Sequence, residues 1–404
     1  MRLLFATEVF PHPLDRGERI RVRNLLEAAA REFEVTFVCP KPRDPHPREA
    51  LDCVAHTVLF DTEAPTALDG RLFFDAMRSS LGSPISKMLR GRMQFLRVLE
   101  SLDLDAFDLI WAERPHVGRL FRRRSSRTIV DFDDVSYLKL ARLIRLQGWS
   151  LGSLHNVYRY LVYRHAELSQ FRSFLGIAVC SQEDQSHLRA RKAGSVCVVP
   201  NGVTVPDSPP LRRRRRPGEP LRLVFLGNMT YDPNMDAVDF FAREVLRSVH
   251  GIVEAFDVIG PPPPEDFQRR YGPPARFLGF VADLSEALST YDAMVAPIRF
   301  GSGTKLKVLE AMANALPLIL TPCAAEGLHL QHDVHALVAS TAQEICQALN
   351  RLAESPDLGH RLAMQAYALA SSRFSWDAIQ TTLSTELKRL AFAAAAAPDR
   401  PKWR

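Results

Sequence analysis

Short apolar runs alternate with helix-length amphipathic segments along this chain, and the alternation runs through twice. The first series comprises 2–6 (RLLFA), 34–38, 55–59, 108–112, 128–132, 176–180 and 196–199, with helical stretches such as 19–31, 86–101 and 156–173 between them. The second begins at 221–226 (LRLVFL) and continues at 256–259, 276–279, 292–296, 317–320 and 335–339. Strands that are apolar on both faces and alternate with helices belong to parallel sheets covered on both sides. Two series therefore predict two doubly wound α/β domains facing each other across a cleft, and 404 residues suffice for two cores. Sheets of this kind bind ligands at the carboxyl ends of their strands, so the residues that follow strands are the ones to weigh.

The seam lies in 200–220, PNGVTVPDSPPLRRRRRPGEP, which has little to bury. Its five consecutive arginines, Arg212 to Arg216, have no aromatic residues among them for base stacking and read as a solvated linker, with no nucleic-acid partner. The expected division is a domain at 1–205, a linker at 206–220, a domain at 221–375 and a terminal helix with its tail at 376–404. Six scattered cysteines, with no C-x-x-C pair, predict reduced thiols in a cytoplasmic protein. No run approaches the ~18 apolar residues of a membrane span, and MRLLFATEVF reads as a buried strand, not a signal peptide. The net charge of +6 falls wholly within residues 1–200 and points to an anionic partner there, be it a membrane surface, a phosphorylated substrate or nucleic acid.

The most informative stretch is 296–321, APIRFGSGTKLKVLEAMANALPLILT. A strand runs into Gly301-Ser302-Gly303-Thr304 and then a helix from about Lys305, with Thr304 as its expected cap. Glycines allow the sharp turn, and free N–H groups at a helix start attract phosphate. Arg299, Lys305 and Lys307 add cations, and Glu310 stands six residues beyond the cap, where a carboxylate can grip ribose hydroxyls. Leu306 occupies the place of a third dinucleotide-site glycine, and no P-loop is present.

This stretch resembles the nucleotide-sugar signature of glycosyltransferase family 4, retaining enzymes of the GT-B fold with two Rossmann-like domains. FLGNMTYDPNMDAVDFF (225–241), FLGFVADLSEALSTYDAMVAPIRF (277–300), VVPNGV (198–203) and SSRFSW (371–376) agree with it, most closely as in sugar transferases of bacterial exopolysaccharide operons. In the family's Glu-x7-Glu pattern the second acid matches Glu310, whereas the first falls on Ser302. The family's G-R-x-x-x-x-K corresponds to Gly227 through Pro233, with Asn228 and Pro233 in place of the two cations, so the leaving diphosphate falls to Arg299, Lys305 or Lys307.

In the first half, PHPLDRGERIRVRNLLEA resembles the family's glycine loop, with Arg16-Gly17 at the usual Gly-Gly. Arg16, Arg19 and His116 are candidates for acceptor contact; Arg21 and Arg23 either meet an anionic acceptor or form helix surface. Asp133-Asp134 stands where the family often has His-Asp and, with Glu113, makes the candidate catalytic set. A literal Asp-x-Asp at 131–133 is a metal signature only in a different, one-domain fold, so neither metal nor cofactor is expected. Residues 135–175 carry six cations, one acid and interleaved Tyr, Trp and Phe, which suits either an anionic membrane surface or an ordinary helix face. The resemblance implies transfer of a sugar from a UDP- or GDP-sugar to a lipid-linked or oligosaccharide acceptor in polysaccharide assembly. A non-hydrolysing sugar-nucleotide epimerase of the same fold and a non-catalytic assembly partner are the alternatives.

Overall fold

The structure is a computed structural model that describes residues 1–42, 51–62, 85–148, 151–168, 174–189, 195–213, 215–249, 251–271 and 275–396. Arg214, Trp149, Phe171, Arg172 and the tail 397–404 lie outside them. The chain divides into two units, Met1–Pro200 with Asp377–Arg404, and Asn201–Trp376.

In the first unit the described strands are β1 (Arg2–Ala6), β2 (Glu34–Pro40), β3 (His56–Phe60), β4 (Leu109–Glu113), β5 (Thr128–Phe132), β6 (Gly176–Val179) and β7 (Val196–Val198). They form one parallel sheet in the order β3-β2-β1-β4-β5-β6-β7. The side-chain period of two sorts β1 between two cores. Leu3 and Phe5 pack with Val22, Leu25 and Leu26 of the helix Gly17–Ala30. Leu4 and Ala6 join Phe95 and Leu99 of the helix Ile85–Ser101. The terminal helix Trp376–Ala396 adds Leu383, Leu387, Leu390 and Ala391 to the first of these cores, at the i, i+4, i+7, i+8 spacing of one helical face.

The second unit has β8 (Leu221–Leu226), β9 (Val253–Ile259), β10 (Ala275–Gly279), β11 (Ala293–Ala296), β12 (Leu318–Leu320) and β13 (Leu337–Val338), parallel and in the order β10-β9-β8-β11-β12-β13. In each unit the chain winds outward from the middle in both directions. The strand order reverses between β1 and β4 in the first sheet and between β8 and β11 in the second, and there the strand ends part to leave a crevice.

The arginine run is not a solvated linker. It belongs to the second unit, and two of its side chains tie off helix ends. The Arg212 guanidinium donates to the carbonyls of Leu288 at 2.8 Å, Asn314 at 3.1 Å and Tyr291. Arg215 donates to Ala353 O at 2.9 Å and to Leu352 O, at the end of the helix Ala342–Glu354. The last carbonyls of a helix lack partners within it and carry its negative dipole end, so a partly buried guanidinium there satisfies both needs.

Candidate functional site

In the second unit the β8–β11 crevice is bordered by Gly227-Asn228 after β8 and by the loop 297–305 after β11. The chain turns through Gly303, whose φ of 66° favours glycine, into the helix Leu306–Ala313. Thr304 does not cap that helix. Lys305 is the N-cap residue, without a side-chain cap bond, while Thr304 Oγ1 accepts from the Asn201 N–H at 3.4 Å. The Lys305 ammonium ties its own loop, donating to Ser302 O at 3.0 Å and Gly303 O at 2.7 Å. Ser302 is 7% exposed, and its Oγ has no hydrogen-bond partner among the described residues. A buried hydroxyl without a partner is costly, and a hydrogen-bonding ligand would satisfy it.

Lys307 and Glu310, three residues apart, share a face of this helix. Lys307 donates to Asn234 Oδ1 at 2.5 Å and lies 4.1 Å from the centroid of the Phe225 ring. A Cβ on Gly227 would fall 2.8 Å from Lys307 Nζ, so the glycine leaves the ammonium room. Burial, with the like charge of Lys305 added, pulls the Lys307 ammonium well below its ordinary range. Burial also pushes the Glu310 carboxyl up to about 7, with no neighbouring cation to oppose it. A carboxyl raised in this way favours the folded state below its unfolded value of 4.5 and loses that contribution as pH climbs through about 7. Glu310→Gln is therefore expected to stabilise the protein at pH 8 and hardly at all at pH 4. Thermal unfolding at the two pH values checks this, and an equal shift at both would refute it.

The remaining donor-side candidates are placed differently. Asn228 Oδ1 accepts from Thr230 N–H and Thr230 Oγ1, each at 2.8 Å, which makes it a turn-forming residue. Arg299 forks onto Asp236 at 2.9 and 2.5 Å and lies 4.7 Å from the Phe240 ring centroid, so its charge is already countered. Gly260, after β9, passes so close to Gly227 that a Cβ would fall 2.3 Å from its carbonyl oxygen.

In the first unit the β1–β4 crevice gathers a network that the sequence reading only partly names. Glu113, at the end of β4, is buried and accepts from Thr7 Oγ1 at 2.7 Å and Arg114 Nε at 2.9 Å. Arg114 also pairs with Glu18, and its φ of 78° is unusual for a residue with a side chain. His116 Nε2 lies 2.9 Å from Glu8 Oε2, and Arg92 Nε donates to Glu8 Oε1 at 3.1 Å. Burial works against the Glu8 charge, but His116 and Arg92 outweigh it and hold the carboxyl at about 2. Glu8 and Arg92 are not evident from the sequence, although Glu8 stands two residues beyond β1 and the strand-end rule points to it.

Arg21 departs furthest from expectation. It is 1% exposed, neither helix surface nor a free cation. Its guanidinium forks onto Asp131 at 3.0 and 2.8 Å and donates to Val199 O at 3.0 Å. Burial opposes the charge, yet Asp131 outweighs it and keeps Arg21 protonated. Asp133 is half-buried, accepts from Cys180 Sγ at 3.4 Å and lies 3.9 Å from Arg21 Nε; Asp134 follows, also half-buried. Arg19 pairs with Asp15 at 2.8 Å, and Arg16, exposed, is the N-cap residue ahead of Gly17. Among the described residues no group of three or more His, Cys, Asp or Glu could hold a metal ion.

Residues 220–355 match the family model described as "Glycosyl transferases group 1". No curated protein matches the sequence. Among solved structures, sucrose-phosphate synthase from Thermosynechococcus elongatus is 17% identical with a TM-score of 0.72, over 97% of this chain and 99% of that one. HepE of Anabaena, in complex with UDP-glucose, is 15% identical with a TM-score of 0.63, over 96% and 100% of the two chains. WaaG, a glycosyltransferase involved in lipopolysaccharide biosynthesis, is 14% identical with a TM-score of 0.61, over 95% and 99%. These likenesses show the fold, which is GT-B. With a group 1 glycosyltransferase domain in its second unit, the chain is an enzyme of the glycosyltransferase class.

Proposed function

We propose that the protein is a retaining glycosyltransferase that moves a sugar from a UDP- or GDP-sugar to a lipid-linked or oligosaccharide acceptor. It works in cell-surface polysaccharide assembly, at the cytoplasmic face of a membrane. The observation that carries this reading is the polar set at the β8–β11 crevice: the orphaned Ser302 hydroxyl, the Glu310 carboxyl raised by burial and the Lys307 ammonium held by Asn234, all in the first turns of one helix or the loop before it. Hydroxyls for Glu310 and a diphosphate for Lys307 and the helix N-terminus are what a nucleotide sugar offers. That HepE was solved with UDP-glucose supports the donor class.

In the transfer, the bond between the anomeric carbon and the diphosphate oxygen breaks while positive charge grows on the ring. The acceptor oxygen bonds to the same carbon from the same face, and its proton passes to a phosphate oxygen of the leaving group. Lys307 and the free N–H groups at the start of Leu306–Ala313 stabilise the departing charge. Asp133, Asp134, His116 and Arg16 serve the acceptor. Glu113 acts through Arg114 and Thr7, since both of its oxygens are already engaged.

The test is incubation of the purified protein with a panel of nucleotide sugars. Free UDP or GDP that appears only with an acceptor supports transfer. An isomerised donor indicates the epimerase, and absence of both binding and turnover indicates a non-catalytic partner. Protein cations, not a divalent ion, neutralise the leaving group in this scheme, so turnover is expected to survive EDTA. Abolition by EDTA with rescue by manganese would overturn it.

A further inference from the structure

The helices Ser136–Gln147 and Leu151–Leu168 of the first unit pack against each other. The second has an inner side, where Ser153, Ala166 and Glu167 are buried. Its opposite side leaves Leu154 (55%), Tyr158 (64%) and Leu161 (55%) exposed, at the i, i+4, i+7 spacing of one line along the helix. Leu146, near the end of the first helix, is exposed as well. Isolated exposed leucines need no explanation, but three aligned large apolar residues form a stripe.

The charge around the stripe is one-sided. Glu167 is the lone acid between residues 135 and 168, and it is buried, accepting from the Ser136 and Tyr137 N–H groups at 3.1 and 3.2 Å. Its carboxylate is therefore taken by the start of the first helix and gives nothing to the outer face. Arg145, Arg159 and Arg164 have no ion-pair or hydrogen-bond partner among the described residues. By contrast, Arg19, Arg23, Arg124 and Arg276 each meet a carboxylate within 3 Å. Arg164 borders the stripe one turn beyond Leu161, and Arg159 follows Tyr158 further round the helix. Stems of this length let apolar residues settle in a lipid interface while the charged heads reach phosphate. Among the described residues no helix is long and apolar enough to cross a membrane, so this face lies along a surface and does not span it.

We propose that the outer face of this helix pair is a docking surface for an anionic lipid bilayer, entered by Leu154, Tyr158 and Leu161 and held by Arg145, Arg159 and Arg164. The inference extends the membrane-face part of the proposed function. It assigns the contact to named apolar side chains, where the sequence alone offered a basic segment with an open alternative. Charge brings the surface to the bilayer and holds it there, and the leucines add apolar contact in the interface.

The experiment is co-sedimentation of the full chain with vesicles of phosphatidylcholine, with and without phosphatidylglycerol. Three cations near an anionic surface are expected to favour the mixed vesicles by roughly a hundredfold. Leu154→Ser with Leu161→Ser is expected to weaken binding about tenfold, and Arg159→Glu with Arg164→Glu to abolish it. Emission from a Tyr158→Trp variant should move to shorter wavelength when mixed vesicles are added. UDP and GDP binding by each variant serves as the folding control. Wild type that sediments equally with both vesicle types overturns the proposal, as does binding that neither pair of substitutions weakens. Self-association abolished by the leucine substitutions, without vesicle binding, would assign the surface to a second copy and overturn the lipid assignment. No donor or acceptor enters this assay, so a protein that docks yet transfers no sugar refutes the proposed transfer alone.

Discussion

Arg21→Met is expected to destabilise the first unit by about 3–5 kcal/mol, the scale of breaking a buried ion pair by removing one partner. The guanidinium is 1% exposed and bonds Asp131, itself fully buried, through two parallel contacts. Methionine fills part of the space but leaves the Asp131 carboxylate buried without its cation, with Asp133 and Glu113 as like charges near it. The loss is read from the urea midpoint at constant slope. Arg21→Met combined with Asp131→Leu should recover most of it, because replacing both members of a buried pair with apolar residues is often neutral or better. A single variant that loses less than about 1 kcal/mol would show that the pair is already compensated by water or relaxation. Because Arg21 also bonds Val199 O and approaches Asp133, the variant should loosen the strand ends that carry the candidate acceptor residues.

Lys307→Met is expected to move binding and stability in opposite directions. Affinity for UDP or GDP, measured by calorimetry, should fall about 10- to 100-fold, corresponding to about 1.5–3 kcal/mol for a charge-assisted contact. Stability at pH 7 should be unchanged or higher. The ammonium is held by one amide oxygen and an aromatic face, with Lys305 as a like charge nearby and Asp236 already taken by Arg299. A lysine depressed in the folded state has a definite sign of linkage. The unfolded chain binds the proton more tightly, so wild-type stability rises as pH climbs from the depressed folded value toward 10.5. The methionine variant lacks that rise. Nucleotide affinity unchanged by the substitution would remove Lys307 from the proposed diphosphate site.

The strands were legible because their signal is local. RLLFA and LRLVFL are apolar on both faces, and they form β1 and β8 over the residues the pattern marks. The helix after β11 was legible too, since two glycines followed by an amphipathic run leave few alternatives. Its cap was not, because Thr304 and Lys305 compete for one position and only the backbone turn at Gly303 decides between them. What the sequence conceals is pairing at long range. Arg21 sits on a helix among other arginines, and its partner lies 110 residues away. Nothing in either local window distinguishes it from Arg23, which meets Glu27 four residues on. Arg92 and Glu8, 84 residues apart, were hidden for the same reason. The arginine run misled in a different way. Charge density usually marks a solvated face, but here carbonyl groups, invisible to composition, receive two of the side chains.

Those two arginines lay an uneven burden on the chain. Arg212 and Arg215 bind main-chain oxygens, and a main-chain oxygen is present whichever residue occupies the position. The bonds at Leu288 and Ala353 therefore do not depend on the side chains there, whereas Asn314 also closes its own helix end, donating Nδ2–H to Glu310 O at 2.8 Å. A guanidinium cannot be exchanged so freely, since lysine offers a single rotating ammonium where several fixed N–H directions are in use. At Leu288 and Ala353 the fastening itself asks nothing of the acceptor's side chain, and the sequence information that specifies it is concentrated in two positions of a segment that otherwise reads as filler.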